Sequence, residues 1–166
     1  GVWNTATQTL LASTTVSPAS ASIPSVHGTA RWVMGRIQDL VLPAGTYRVA
    51  GEVNGDAVAL SNDKVPGPNT VLTAGYIRTD FPSGGFAYPN LSFGSEAVRA
   101  TLSTQAVTNL IVDAGPASVN SVFSTGNYVA GTEFTISAPT TIRSLGWLDA
   151  EGDGAAEALT AADGSS

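Results

Sequence analysis

The stretch Thr46-Tyr47-Arg48-Val49-Ala50-Gly51-Glu52-Val53, entered through Leu42-Pro43-Ala44-Gly45, decides the fold class. Apolar and polar side chains alternate along it with a period of two, which puts one set on each face of a strand. The Pro-Ala-Gly turn in front of it ends the preceding run and sets the strand's start.

Working outward, similar runs recur along the chain, either alternating or β-branched, with turn residues between them. They predict strands over Thr9–Val16, Thr29–Met34, Asp39–Leu42, Thr46–Val53, Gly75–Thr79, Ala97–Leu102, Val107–Val112, Thr132–Ser137 and Thr140–Leu148. Eighteen Gly and nine Pro fall mostly between the runs and punctuate them. Only the residues after Gly154 favour a helix in composition, and that tract is too short and polar to hold one alone. The prediction is an all-β chain, a two-sheet antiparallel β-sandwich with a jelly-roll-like order. Residues 1–154 form its single domain, and 155–166 an acidic linker or frayed tail. Ser61–Asn69 and Asp80–Asn90 read as long irregular loops.

Composition narrows the function classes. Charged residues make up 12% of the 166, about half the usual share, so Ser, Thr, Asn and Gly must hydrate the surface. That chemistry suits an exported protein better than a cytoplasmic enzyme. Thirteen acids face seven bases, giving a net charge of −6, and no basic run exists to neutralise phosphates, so no nucleic-acid partner is expected. The absence of Cys excludes disulfides and thiolate chemistry. No apolar run approaches the length of a membrane span, so no membrane insertion is expected. The first residue is Gly1 rather than Met and no signal peptide precedes it, which is expected of a processed, truncated or engineered product.

Catalytic chemistry finds little purchase. His27, the only histidine, lies in a Ser/Pro/Gly-rich stretch with no nucleophile elbow near it and reads as a surface residue. One His without Cys cannot complete a usual zinc set. The acids are scattered singly until the C-terminus, so no pair is nominated for glycoside hydrolysis, and the expectation is a protein that is not an enzyme.

The C-terminal acids are the sharpest local signal. Asp149, Glu151 and Asp153, followed by Gly154, match the first half of a calcium loop, in which acids at positions one, three and five converge on the ion. Position twelve is Thr160 rather than a bidentate Glu, so calcium stands beside a plain solvated acidic turn. Trp3, Trp32 and Trp147 fall in or beside strand patterns and belong to the core. Phe81, Phe86 and Tyr88 lie in a Pro/Gly loop, where aromatics either stack on a sugar ring or another partner, or fold over the end of the sandwich. Asn90-Leu91-Ser92 is a formal glycosylation sequon.

The run from Thr132 to Asp149, closing on Leu145-Gly146-Trp147-Leu148-Asp149 and then Gly152-Asp153-Gly154, resembles the opening of a secreted domain of PEP-CTERM-type bacterial surface proteins. Gly1-Val2-Trp3-Asn4, Leu10–Val16 and Leu42–Glu52 resemble the strands that follow in that family. Gly75-Tyr76, Phe86–Pro89 and Ser92-Phe93-Gly94 resemble its distal half. The resemblance implies a β-sandwich at the cell surface or outside the cell, without an assigned activity. The order departs from the family, in which Gly-Asp-Gly runs directly into the Gly-Val-Trp strand. The family's membrane-sorting tail is also absent.

The permuted order predicts that Thr140–Leu148 hairpins onto the strand near residues 1–11, within one chain or between two. Gly1, Val2, Trp3, Leu145 and Trp147 are then the partner-binding residues. Donation of a strand head to tail builds a filament, and the expected function is a structural block of a bacterial surface fibre or matrix. The alternative is a carbohydrate- or partner-binding module that uses the loop aromatics.

Overall fold

The computed structural model of the chain describes residues 1–17, 19–25, 31–54, 58–61, 64–80, 87–93, 100–104, 110–114, 119–123 and 127–149. These contain fourteen strands and no helix. In chain order the strands are β1 (Val2–Asn4), β2 (Leu10–Ala12), β3 (Ala21–Pro24), β4 (Arg31–Leu42), β5 (Gly45–Asn54), β6 (Val58–Ser61) and β7 (Lys64–Pro66). They continue with β8 (Thr70–Asp80), β9 (Leu91–Phe93), β10 (Ala100–Ser103), β11 (Val112–Ala114), β12 (Val119–Phe123), β13 (Asn127–Ile136) and β14 (Thr140–Asp149). A six-stranded sheet has the order β2-β1-β5-β13-β8-β9, and a four-stranded sheet the order β10-β14-β4-β3. Every pairing is antiparallel, and the two sheets stack as a β-sandwich. Two small pairs, β11 with β7 and β12 with β6, stand beside it.

Two crossings from sheet to sheet organise the centre. β4 ends at Leu42 in one sheet and β5 begins at Gly45 in the other, with Pro43 between them. β13 ends at Ile136 and β14 begins at Thr140, with Pro139 between them. Proline cannot donate to a ladder, so each run stops there and the chain turns over the sandwich's end. The two arches lie side by side, since β5 pairs β13 from Gly45↔Ile136 to Asn54↔Asn127. β4 pairs β14 from Leu42↔Thr140 to Arg31↔Asp149, with a bulge between Ile142 and Ser144. The Tyr47 hydroxyl ties the first arch by donating to the Pro43 carbonyl at 2.8 Å, and burial pushes its phenol pKa up.

Between the sheets, Val2, Leu42, Tyr47, Val49, Leu102, Phe134, Ile136, Ile142 and Leu145 form the main core. The Tyr47 and Phe134 rings lie 6.0 Å apart, centre to centre. Each such burial contributes about 1.5–3 kcal/mol. The alternation read at Thr46–Val53 is what delivers Tyr47 and Val49 to this core while Arg48 faces outward. Trp147 reaches across from β14 and lies where a Cβ of Gly51 would be. In β4, Trp32, Val33 and Met34 are all buried in succession, so both faces of the four-stranded sheet are covered there. Trp32, Met34, Ile23 and Leu148 form a second cluster with Leu72 and Leu110.

Some predicted bounds change. Thr9–Val16 shrinks to β2, because Thr14 crosses to the other sheet and donates to the Arg36 carbonyl at 3.2 Å. Arg31–Met34 and Asp39–Leu42 belong to one strand, β4, which runs on through Gly35–Gln38 with Gly35 and Arg36 still paired to β14, while Thr29 and Ala30 lie outside the described residues. Gly75–Thr79 extends into β8, and the predicted loop Ser61–Asn69 contains β7, which pairs β11. The predicted hairpin between β14 and the strand near residue 1 is not made. β1 lies between β2 and β5 in one sheet, and β14 lies between β10 and β4 in the other.

Candidate functional site

Of the predicted partner-binding residues, Gly1, Val2 and Trp3 lie at the β1 slot. β1 is three residues long, yet its Val2 and Trp3 are 0% and 2% exposed. The strand pairs β5 at Val2↔Val49, Trp3↔Arg48 and Asn4↔Tyr47. Its alternation sends Val2 into the main core and Trp3 to the sheet's opposite face, against Ala50 and Val129. Asn4 holds the turn that follows by accepting from the Ala6 and Thr7 amides at 2.9 and 3.1 Å, and Gln8 takes a left-handed φ of 56°.

The Gly1 amine donates to the Ala50 carbonyl at 2.7 Å, and the Ala50 amide donates to the Gly1 carbonyl at 3.0 Å. Burial of this amine lowers its pKa from 8.0 to about 5, so it is neutral at pH 7 while still donating its bond. Trp147, covering the neighbouring Gly51, brings the end of β14 to the same end of the sandwich as the start of β1. Leu145 lies one alternation further into the same core. Val2, Leu145 and Trp147 therefore share the main core across the two layers, while Trp3 packs on the other face of its sheet.

On the outer side of the six-stranded sheet, residues 87–90 pass over the Trp3 cluster. The Arg48 Nε donates to Glu133 Oε2 at 2.8 Å, on directly paired positions of β5 and β13. Thr73 supports the same carboxylate from β8 at 3.0 Å. The Arg48 guanidinium also sits 5.0 Å over the Tyr88 ring and donates to the Pro89 carbonyl. Tyr88 thus spends one face on Arg48 and packs on the Trp3 cluster. The opposite charges on the neighbouring strands Thr46–Val53 and Thr132–Ser137 were the available sequence signal for the ion pair. The strands' adjacency, however, is a tertiary fact.

The other candidates are placed only in part. Asp149 is buried at the end of β14, in register with Arg31, while Glu151 and Asp153 lie outside the described residues. Among the described residues no three His, Cys, Asp or Glu side chains gather as a metal site. His27, Phe81 and Phe86 also lie outside them. Asn90 is exposed at the entry to β9. The β1 slot offers apolar walls and backbone hydrogen bonds, a chemistry that holds a strand. Comparison with known proteins finds no match to a family model, to a curated protein or to a solved structure.

Proposed function

We propose that the chain is a non-catalytic structural module of the bacterial cell exterior, a building block of a fibre or matrix that assembles by exchange of its terminal strand β1. One observation carries the reading. A three-residue strand, β1, supplies two buried anchors to opposite faces of a sheet. Such a strand can be donated by a neighbour with the same side chains entering the same pockets, as in strand-complementation assemblies. β14 is the fixed half of the arrangement: Trp147 helps to wall the slot, and β10 and β4 hold the strand on both edges. The low charge and the resemblance to surface-protein domains support the location.

The test is complementation in trans. A chain lacking residues 1–4 should bind a synthetic Gly-Val-Trp-Asn-Thr peptide and regain stability, and the intact chain should form concentration-dependent oligomers in sedimentation. An intact chain that stays monomeric at every concentration, or a truncated chain that folds normally without taking up the peptide, would refute the proposal.

A further inference from the structure

We infer that the open edge of β2 is a second assembly contact, where another copy of this chain adds antiparallel, β2 to β2, across a two-fold axis. This contact adds to the strand-exchange reading and stands without it.

β2 is the last strand of the six-stranded sheet, and among the described residues nothing pairs with its outer edge. Unpaired backbone at such an edge is a template for another strand. Of the other edges, that of β10 is covered, since the Ile111 amide donates to the Leu102 carbonyl at 2.8 Å and Leu110 bridges Ser103, and β3 carries Pro24 at its end. β2 instead presents Leu10 and Leu11, 41% and 36% exposed, and Val41 of β4, which shares a groove with Leu11, is 61% exposed. Leu11 and Val41 line an open groove of about 440 Å³ between the β1–β2 turn and the β4–β5 turn. The polar groups of this groove bond internally: Thr5 Oγ1 donates to the Thr46 carbonyl, and Tyr47 donates to Pro43. Its free surface is therefore mostly apolar.

Charge selects the occupant. The protein carries −6 overall, so two copies repel on most approaches. Residues 1–30 nevertheless contain no Asp, Glu, Lys or Arg. The charged side chains by which natural edge strands avoid pairing are missing where the edge is open. A second copy brings the same neutral strand, and antiparallel pairing of one segment with itself satisfies the two-fold symmetry of an isologous contact. A strand of three residues supplies few backbone bonds, so Leu10, Leu11 and Val41 must provide most of the affinity.

The test uses single substitutions in the intact chain. Leu10→Lys and Leu11→Lys should each weaken dimerisation by more than about tenfold in sedimentation equilibrium, because each places a charge in an apolar contact. Val71→Lys, at an exposed position on β8, should leave it unchanged. The chain has no Cys, so Leu11→Cys should form a disulfide-linked dimer on mild oxidation, well ahead of Val71→Cys. A monomeric intact chain, dimers unaffected by either lysine, or equal cross-linking of the two cysteine variants would overturn the inference. Lysine variants that lose the dimer but still accept the β1 peptide support the edge contact and leave strand exchange standing. Loss of peptide uptake alone would refute strand exchange and spare the edge contact.

Discussion

In a chain that begins at Gly1, lowering the pH from 8 to 5 should destabilise the fold through the Gly1 amine. Burial holds its folded pKa at about 5, against 8.0 when exposed in the unfolded chain. Between these values the unfolded state binds a proton that the folded state does not, so stability rises with pH across that window. The contribution is complete above pH 8 and is lost on the way down to 5. Each pH unit is worth about 1.4 kcal/mol, so the whole window amounts to about 4 kcal/mol. That is a large share of the roughly 5–15 kcal/mol that holds a domain folded. Urea unfolding at a series of pH values from about 4.5 to 9 measures the slope. His27→Asn should serve as the background, since it removes the only side chain that ordinarily titrates in this range. Acetylating Gly1 removes the ionisable amine and should flatten the curve, whatever it does to absolute stability. A flat curve in the free-amine protein, or an equal slope in the acetylated one, would show that the amine is not buried as described. The refutation would then extend to the β1 slot, whose first hydrogen bond is made by that amine.

Three further outcomes follow from the packing. Gly51→Ala should cost about 1–3 kcal/mol by placing a methyl group against the Trp147 ring, read as a lower urea midpoint with an altered tryptophan spectrum. Arg48→Ala should cost about 2–3 kcal/mol, because it leaves the half-buried Glu133 without its cation and frees Tyr88 and Pro89. Arg143→Ala should change stability by less than about 0.5 kcal/mol, since its partner Asp39 is exposed and water screens the pair. Equal costs for the two arginine variants would contradict the burial that separates them.

The sequence by itself determined the class of the fold and most of its central strands. Tyr47 and Val49 had to share a face because strand side chains alternate, and the structure gives them one core. Pro43 and Pro139 had to end strands because proline lacks an amide proton. β3, β6, β7, β9 and β12 were missed because their runs are short, and β6 and β12, like β7, are held by partners distant in sequence. The acidic half-loop at Asp149 was legible as a motif, but only its first acid falls among the described residues.

What only the tertiary structure decided was who pairs with whom. Apolar alternation says that a strand is half-buried, but it carries no address for its neighbour. Val2 and Trp3 read as strand residues in either arrangement, within a hairpin onto β14 or in a slot between β2 and β5. Backbone hydrogen bonds are the same for any sequence, so pairing is settled by shape: Gly51 leaves room for Trp147, and Ala50 and Val129 leave room for Trp3. Those pockets exist only once the two arches have closed over each other.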